Sequence, residues 1–166
     1  MGDQTGVELA KQVLQACKTR GVTLGTCETD TGGLIGSLIT DVPGCSAVFI
    51  GGITPYHNPP KRDLARVDRD LLKEHGSVSE EAALALAKGA RAALGVDIAV
   101  SETGITGPTG GNAERPIGLV WIAVVGPGDR ERAERRVWES DRVGNKALTA
   151  ERALAMVLEA AQSTGS

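Results

Sequence analysis

Val22-Thr-Leu-Gly-Thr-Cys-Glu-Thr-Asp-Thr-Gly-Gly33 is an apolar stretch that passes directly into a loop of threonine and glycine. Val96-Asp-Ile-Ala-Val-Ser-Glu-Thr-Gly-Ile-Thr-Gly-Pro-Thr-Gly-Gly111 repeats this arrangement later in the chain. Each apolar run has the length of a buried strand, and ligands of open α/β sheets bind where such strands end. The alternative for either loop is an ordinary turn. Together they predict a pocket for a small molecule that carries a phosphate or forms an oxyanion.

Length and composition narrow the class of protein. The chain has 166 residues, and we expect one domain over residues 1–166. Apolar residues make up 41% of the chain and only four residues are aromatic, so the core must be aliphatic. The net charge is −3 and no block of lysine or arginine is present. These features disfavour binding to nucleic acid or to a membrane surface through bulk charge.

The termini and the cysteines favour a reduced, cytoplasmic chain. The first residues contain no basic and apolar leader, and no apolar run approaches the length needed to cross a membrane. Cys17, Cys27 and Cys45 form no paired motif, and His57 and His75 lie far apart in sequence. We therefore expect no structural zinc, no other metal and no cofactor.

Periodicity and turn signals predict the order α-β-α-β-α-α-β-β-β-α. Prolines make the segment from Pro55 irregular at first, and Ser77-Val-Ser-Glu80 is typical of a capping box that opens a helix ending before Gly95. We expect a three-layer α/β/α domain on a mixed five-stranded sheet. The other predicted elements are helix 7–17, strand 22–27, helix 32–40, buried strand 47–53, strand 96–100, the hairpin strands 117–125 and 131–139, and helix 148–161.

With these motifs placed, the chain resembles the CinA C-terminal domain family over roughly residues 7–160. The resemblance implies the strand order 2-1-3-4-5 with strand 4 antiparallel, and a stand-alone form without the N-terminal domain of longer relatives. The motifs that carry it, in the family's order, are Cys27-Glu-Thr-Asp-Thr-Gly-Gly-Leu34, Thr40-Asp-Val-Pro-Gly44, Tyr56-His-Asn-Pro-Pro-Lys61, His75-Gly-Ser-Val-Ser-Glu80, Thr103-Gly-Ile-Thr-Gly-Pro-Thr-Gly-Gly111 and Glu114-Arg-Pro-Ile-Gly118.

The family includes nicotinamide mononucleotide deamidases, so the resemblance implies hydrolysis of a carboxamide to a carboxylate and ammonia. In these enzymes a serine is the nucleophile and a lysine is its base. By position the serine corresponds to Thr29 and the lysine to Lys61, and Tyr56 is a candidate to relay a proton or orient the amine. A lysine acts as a base only when burial or a nearby cation lowers its pKa. The alternative for Tyr56 is a structural role, as a partly buried aromatic side chain that caps the core.

The chain departs from the family at the catalytic motif, where Ser-Cys is replaced by Thr29-Asp30. Threonine keeps the hydroxyl, but its β-branch restricts the side-chain rotamer. Asp30 has three possible roles: it stabilises the ammonium form of Lys61, it caps the following helix, or it activates water directly. The helix cap is the role we expect, because aspartate is common at helix starts.

Twelve further residues are predicted to bind the substrate. For Glu28 the alternative is a surface ion pair, for the threonines tight turns, and for the arginines solvent-exposed charge. Arg115 and Arg142 are the candidates for holding a phosphate through a bidentate contact. The set is Glu28, Thr31, Gly32, Gly33, Asn58, Thr103, Gly104, Thr106, Gly107, Gly110, Arg115 and Arg142.

Three functions remain open from the sequence. The first is an amidohydrolase acting on a pyridine nucleotide, forming a homo-oligomer and binding neither nucleic acid nor a membrane; the need for a separate partner protein stays open. The second is a catalytically silent relative that keeps the pocket and binds a nucleotide or a partner for regulation or assembly. The third is an enzyme of altered chemistry, in which Asp30 activates water or a different pyridine amide is processed.

Overall fold

A computed structural model describes residues 2–163, with side chains described from residue 5 onward. Its sheet and helices follow the expected alternation along the chain. Short 3₁₀ turns lie at Cys45–Ala47 and Pro127–Asp129. The elements are α1 Gly2–Arg20, β1 Leu24–Glu28, α2 Leu34–Thr40, β2 Phe49–Ile53, α3 Asn58–Asp63, α4 Arg69–His75, α5 Glu80–Leu94, β3 Ile98–Gly104, β4 Leu119–Val125, β5 Glu131–Val137 and α6 Arg142–Ser163.

The five strands form one mixed sheet in the order β2-β1-β3-β4-β5. β1 runs parallel to both β2 and β3, whereas β4 is antiparallel to β3 and β5. The expected strand order and the antiparallel hairpin are therefore confirmed. The chain leaves β1 toward β2 on one side, while β3 pairs on the other, so the carboxyl ends of β1 and β3 form the switch point of the sheet.

Helices cover both faces of this sheet, which confirms the three-layer architecture. α1, α2 and α6 pack together on one face, where the largest cluster of buried aliphatic side chains lies. α5 covers the other face and packs against β1, β3 and β4. Representative buried members of the larger cluster are Val13, Leu24, Ile35, Ile98, Ile122 and Leu154.

Two expectations about the segment from β2 to α3 are wrong. The strand predicted as buried is β2, an edge strand with alternating exposure, and Ile50 is 53% exposed. The segment predicted as irregular forms α3, because Pro59 and Pro60 occupy its first turn, where no backbone N–H donor is required. Proline is disfavoured in the interior of a helix but is tolerated at these first positions.

Element boundaries also differ at three places. The side chain that caps α5 is Ser79, which accepts a hydrogen bond from Ala82 N–H, rather than Ser77. β3 extends to Gly104, into residues predicted as loop, because it pairs with β4 along that length. α6 begins at Arg142, six residues before the apolar pattern indicated. The stop of α5 at Gly95, with φ 65°, is confirmed.

Candidate functional site

A cleft of about 380 Å³ opens at the carboxyl ends of β1 and β3. It is bounded by the first loop, the segment around α3 and the end of β3. Both loops predicted from the sequence therefore leave the same edge of the sheet. The predicted site residues that line the cleft are Thr29, Asp30, Tyr56, Asn58, Lys61, Thr103 and Gly104.

Lys61 is the buried cation of this cleft, with a side chain only 2% exposed. Its Nζ donates to Thr103 Oγ1 at 3.3 Å, and Thr103 in turn donates to the Ser77 carbonyl at 2.6 Å. Burial lowers the pKa of Lys61, and the negative charges of Glu102 and Asp30 oppose that shift. Neither carboxyl group forms a salt bridge with the Lys61 amine. The amine is therefore held in surroundings that favour its neutral form.

Thr29 presents a buried hydroxyl without a hydrogen-bond partner among the described residues. Its backbone N–H is fixed by Glu102 Oε1 at 2.6 Å. Because a buried hydroxyl ordinarily finds a partner, an unpaired Oγ1 facing a cleft is suited to contact a bound molecule. A direct hydrogen bond from Thr29 to Lys61 is absent, so their contact through one water stays a prediction.

Asp30 does not cap a helix, so our expectation for this residue is wrong. The N-cap of α2 is Gly33, in a left-handed conformation without a side-chain cap. The Asp30 side chain is instead buried and its Oδ2 accepts from Thr106 N–H at 3.0 Å, which joins the first loop to the second. Burial raises the pKa of Asp30, while the Thr106 contact, Lys61 and Arg142 oppose the shift.

Glu28 occupies the position in the first loop where we expected a bound anion. Its Oε2 accepts from Gly33 N–H at 3.0 Å and Ile35 N–H at 2.9 Å, and its Oε1 accepts from Gly36 N–H at 2.8 Å. Glu28 is 1% exposed and lies outside the cleft. Its predicted substrate contact does not fit this placement, because the carboxylate already satisfies the start of α2.

Another backbone N–H donor of the first loop also binds a carboxyl group of the protein. Thr31 N–H donates to Glu102 at 3.0 Å, and the Thr31 side chain is 1% exposed. Gly32 and Gly33 adopt positive φ and allow the turn that wraps around these carboxyl groups. The backbone of the first loop therefore binds the protein's own glutamates, and a phosphate has no free amides at the start of α2.

Arg142, at the start of α6, connects the second loop to Tyr56, although Arg142 itself does not line the cleft. This side chain donates to the Gly107 carbonyl at 2.7 Å and to the Tyr56 hydroxyl at 3.1 Å. Tyr56 is half-exposed and has no hydrogen bond to Lys61, so it stands at the rim of the cleft. Arg115 donates to the His75 carbonyl and does not line the cleft. Gly110 is exposed.

Sequence reasoning missed two buried residues that organise the site. Glu102 holds the backbone of Thr29, and its position at the end of an apolar run, like that of Glu28, was the available signal. Asn145 is 1% exposed and its Nδ2 donates to the Thr106 carbonyl at 3.1 Å. Nothing in the local sequence of α6 marks Asn145, because its partner is distant along the chain.

Three features of the described residues bear on other classes of function. No helix within residues 2–163 is both long and apolar enough to cross a membrane. The same part of the chain contains no cluster of side chains suited to hold a metal ion. Cys17, Cys27 and Cys45 are free thiols, and burial raises the pKa of Cys27 to about 12, so it is not a nucleophile at neutral pH.

The model of the CinA C-terminal domain matches residues 7–161. This chain belongs to the CinA C-terminal domain family. A CinA-like protein from Salinibacter ruber is 42% identical over 139 residues, which cover 84% of this chain and 34% of that protein. A CinA-like protein from Geotalea uraniireducens is 42% identical over 146 residues, or 88% of this chain and 34% of that protein. The chain thus spans about a third of the length of these curated relatives.

Solved structures agree with the family and the fold. The competence/damage inducible protein CihA from Agrobacterium tumefaciens superposes with a TM-score of 0.91 at 35% identity, covering 93% of this chain and 94% of that one. Competence damage-inducible protein A from Klebsiella pneumoniae gives a TM-score of 0.92 at 29% identity, covering 96% and 99%. The resemblance stated from the motifs is therefore confirmed.

Proposed function

We propose that this CinA domain is an amidohydrolase that releases ammonia from the carboxamide of a pyridine nucleotide. The observation that carries the proposal is that Thr29, whose hydroxyl has no hydrogen-bond partner among the described residues, and Lys61, whose amine is buried, line the same cleft. Amide hydrolysis by an alcohol needs a neighbouring base, and a lysine serves when its neutral form is populated. Burial acts on Lys61 in that direction.

The proposed reaction proceeds through an ester on Thr29. Thr29 Oγ1 attacks the carboxamide carbon while its proton passes to the neutral Lys61 amine. The resulting ammonium returns a proton to the leaving nitrogen, so that ammonia departs and the acyl group remains on the threonine. Water, deprotonated by Lys61, then attacks the ester, which releases the carboxylate and restores the threonine hydroxyl.

Thr103 supports the base in this scheme. Its hydroxyl donates its own hydrogen to the Ser77 carbonyl, so it presents a lone pair to Lys61 Nζ. The contact orients the amine within the cleft. A Thr103→Val variant keeps the shape of the side chain and removes this acceptor.

The phosphate of a nucleotide substrate is assigned to the second loop and Arg142. The amides at the start of α2 are taken by Glu28, whereas Arg142 lies at the rim beside Tyr56 and carries a guanidinium suited to a phosphate. Arg142→Ala should raise KM for the nucleotide at least tenfold. Arg115→Ala is the matched control, because Arg115 donates to the His75 carbonyl and, unlike Arg142, makes no hydrogen bond to a described residue that lines the cleft.

The direct test is ammonia release from nicotinamide mononucleotide by the purified protein. Thr29→Ala and Lys61→Met should each lower kcat at least a hundredfold with folding checked by circular dichroism, while Lys73→Gln, on the exposed surface of α4, should not. Mass spectrometry should detect the acylated threonine when the reaction is quenched. Turnover that survives Thr29→Ala unchanged would contradict a threonine nucleophile.

Altered chemistry is the second candidate, and the placement of Asp30 favours it. The family's Ser-Cys is Thr29-Asp30 here, and the Asp30 carboxyl lines the cleft rather than a helix end. A carboxylate there can take the proton of an attacking water. In that case Asp30→Asn abolishes turnover and Thr29→Ala spares it. Absence of turnover in the wild type, and also in the Thr29→Ser/Asp30→Cys double variant, favours the silent relative.

The oligomeric state and the cellular compartment stay predictions. We propose a cytoplasmic homo-oligomer; the free thiols of Cys17, Cys27 and Cys45 are in line with a reducing compartment. Size-exclusion chromatography with light scattering measures the first directly.

A further inference from the structure

Two glutamates lie side by side in the interior, near the carboxyl ends of β1 and β3. Glu28 ends β1, Glu102 lies opposite it in β3, and their side chains are 1% and 0% exposed. Buried carboxyl groups are costly when they are charged and unpaired. Glu28 resolves this cost with the amides at the start of α2, whereas Glu102 Oε2 has no partner among the described residues.

Thr31 connects the two carboxyl groups. Its Oγ1 lies 2.8 Å from Glu28 Oε2 and 2.8 Å from Glu102 Oε1. A hydroxyl carries one hydrogen, so it donates to only one of these oxygens. The second contact brings another carboxyl oxygen against the hydroxyl oxygen, and this arrangement costs less when one of the two carboxyl groups carries a proton. Two ionised carboxylates around one buried hydroxyl would leave two acceptors facing each other.

We propose that Glu28, Thr31 and Glu102 form a buried cluster that shares one proton, and that Glu102 is a positioning residue for Thr29 and Lys61. The positioning role rests on the proposed amidohydrolase function, whereas the shared proton does not. Glu102 Oε1 fixes the backbone of Thr29 and Thr31 at 2.6 Å and 3.0 Å. It thereby sets the place from which the Thr29 hydroxyl enters the cleft.

The same carboxyl group governs the charge of the base. Among the charged neighbours of Lys61, Glu102 acts most strongly, ahead of Asp30 and Cys27. Burial, with Asp30 next, raises the pKa of Glu102 to about 7, in agreement with a proton retained near neutrality. When Glu102 is protonated, Lys61 loses a negative neighbour and its neutral form is favoured.

Few other titratable groups face this cluster. β4 contributes an apolar partner, Ile122, opposite Glu102. α6 contributes Lys146, whose amine would lie 3.8 Å from a Cβ on Gly32, the residue after Thr31. The groups that act on the charge of Glu102 or Lys61 are Cys27, Glu28, Asp30 and each other.

Carbon NMR of protein labelled at the glutamate δ-carbons tests the shared proton without any substrate. One resonance should titrate near pH 7, and Glu102→Gln should remove it. Thr31→Val should shift its midpoint, whereas Thr31→Ser, which keeps the hydroxyl, should not. These threonine variants keep the test available if Glu102→Gln fails to fold. Absence of any buried glutamate resonance titrating between pH 5 and 9 overturns the proposal, whatever the activity.

The rate of ammonia release from nicotinamide mononucleotide, followed against pH, tests the positioning role. Glu102→Gln removes a negative charge beside Lys61, so the acidic limb should move to lower pH by about half to one unit, with kcat lowered more than KM. Glu28→Gln removes the charge that raises the pKa of Glu102, so the limb should move to higher pH. If the wild-type enzyme is active and neither substitution moves the acidic limb of its pH–rate profile, the positioning role of Glu102 is overturned. An inactive enzyme with the neutral titration retains the shared proton and rejects only the amidohydrolase.

Discussion

At the scale of single residues, Asp30 is the side chain that joins the two loops of the site. Its buried carboxyl group holds Thr106 N–H and contributes negative charge near both Lys61 and Glu102. The negative charge of Asp30 raises the pKa of Lys61 and the pKa of Glu102. Asp30 therefore works against a neutral lysine, while the contact with Thr106 stabilises the shape of the cleft.

Asp30→Asn separates these two effects. The amide oxygen still accepts from Thr106 N–H, but the negative charge is gone, so the pKa of Lys61 should fall. We expect the acidic limb of the rate profile to move down by up to about one pH unit, equivalent to roughly 1.4 kcal/mol. Steady-state ammonia release between pH 5 and 10 measures this shift. Asp30→Ala is the control for the contact, and a profile unmoved by Asp30→Asn contradicts an influence of its charge on Lys61.

At the scale of elements, the close approach of α5 to the end of α3 sets the position of the lysine. A Cβ on Gly89 would lie 1.5 Å from the Ala65 carbonyl oxygen, so only glycine fits there. The backbone just after α3 is also tied to Lys61, because Val67 N–H donates to the Lys61 carbonyl at 3.0 Å. Packing on one face of α5 is thereby transmitted to the site.

Gly89→Ala should displace the segment that follows α3. We expect the free energy of unfolding to fall by about 1–3 kcal/mol, as for overpacked cores, with a larger loss of turnover than the stability change explains. Gly126→Ala is a matched control, since Gly126 has φ −118° and open space around its Cβ position. Urea denaturation of both variants, with ammonia release below the unfolding range, makes the comparison. Equal effects of the two substitutions would falsify the role of the contact.

At the scale of the whole molecule, the two edges of the sheet differ in chemistry. β5 is a charged edge strand, on which Glu134 accepts from Arg152 in two contacts at 2.8 Å and 2.6 Å and also pairs with Arg136. Arg152 further contacts Glu159 of the same helix. This network ties β5 to α6 and places charge where an unpaired strand would otherwise recruit another chain. At the opposite edge, β2 exposes the apolar side chain of Ile50.

The network predicts a pH-dependent contribution to stability. Hydrogen bonds from Arg152, then Arg136, lower the pKa of Glu134 to about 2, below its ordinary value near 4.5. A lowered carboxyl pKa stabilises the fold above the ordinary value, and that contribution is lost as the pH falls toward 2. Glu134→Gln should therefore lower the free energy of unfolding by about 1–2 kcal/mol at pH 7 and much less at pH 2.5.

Denaturant unfolding at the two pH values measures this difference. Glu8→Gln is the control, because Glu8 and Lys11 form an exposed pair within α1, which should contribute little at either pH. A loss for Glu134→Gln that is the same at pH 2.5 as at pH 7 would contradict the assignment.

The sequence by itself determined the family, the strand order and the set of chemical groups at the switch point. Apolar periodicity, the two strand-ending loops and the ordered motifs are local features, and they bring Thr29, Lys61 and Thr103 to one edge of one sheet. Tertiary structure alone decided which partners those groups have. Glu28 turned out to hold α2, Asp30 to bind the second loop, and Glu102 and Asn145 to organise the site. These assignments depend on hydrogen bonds between distant segments and on burial, neither of which is encoded in the spacing of nearby residues.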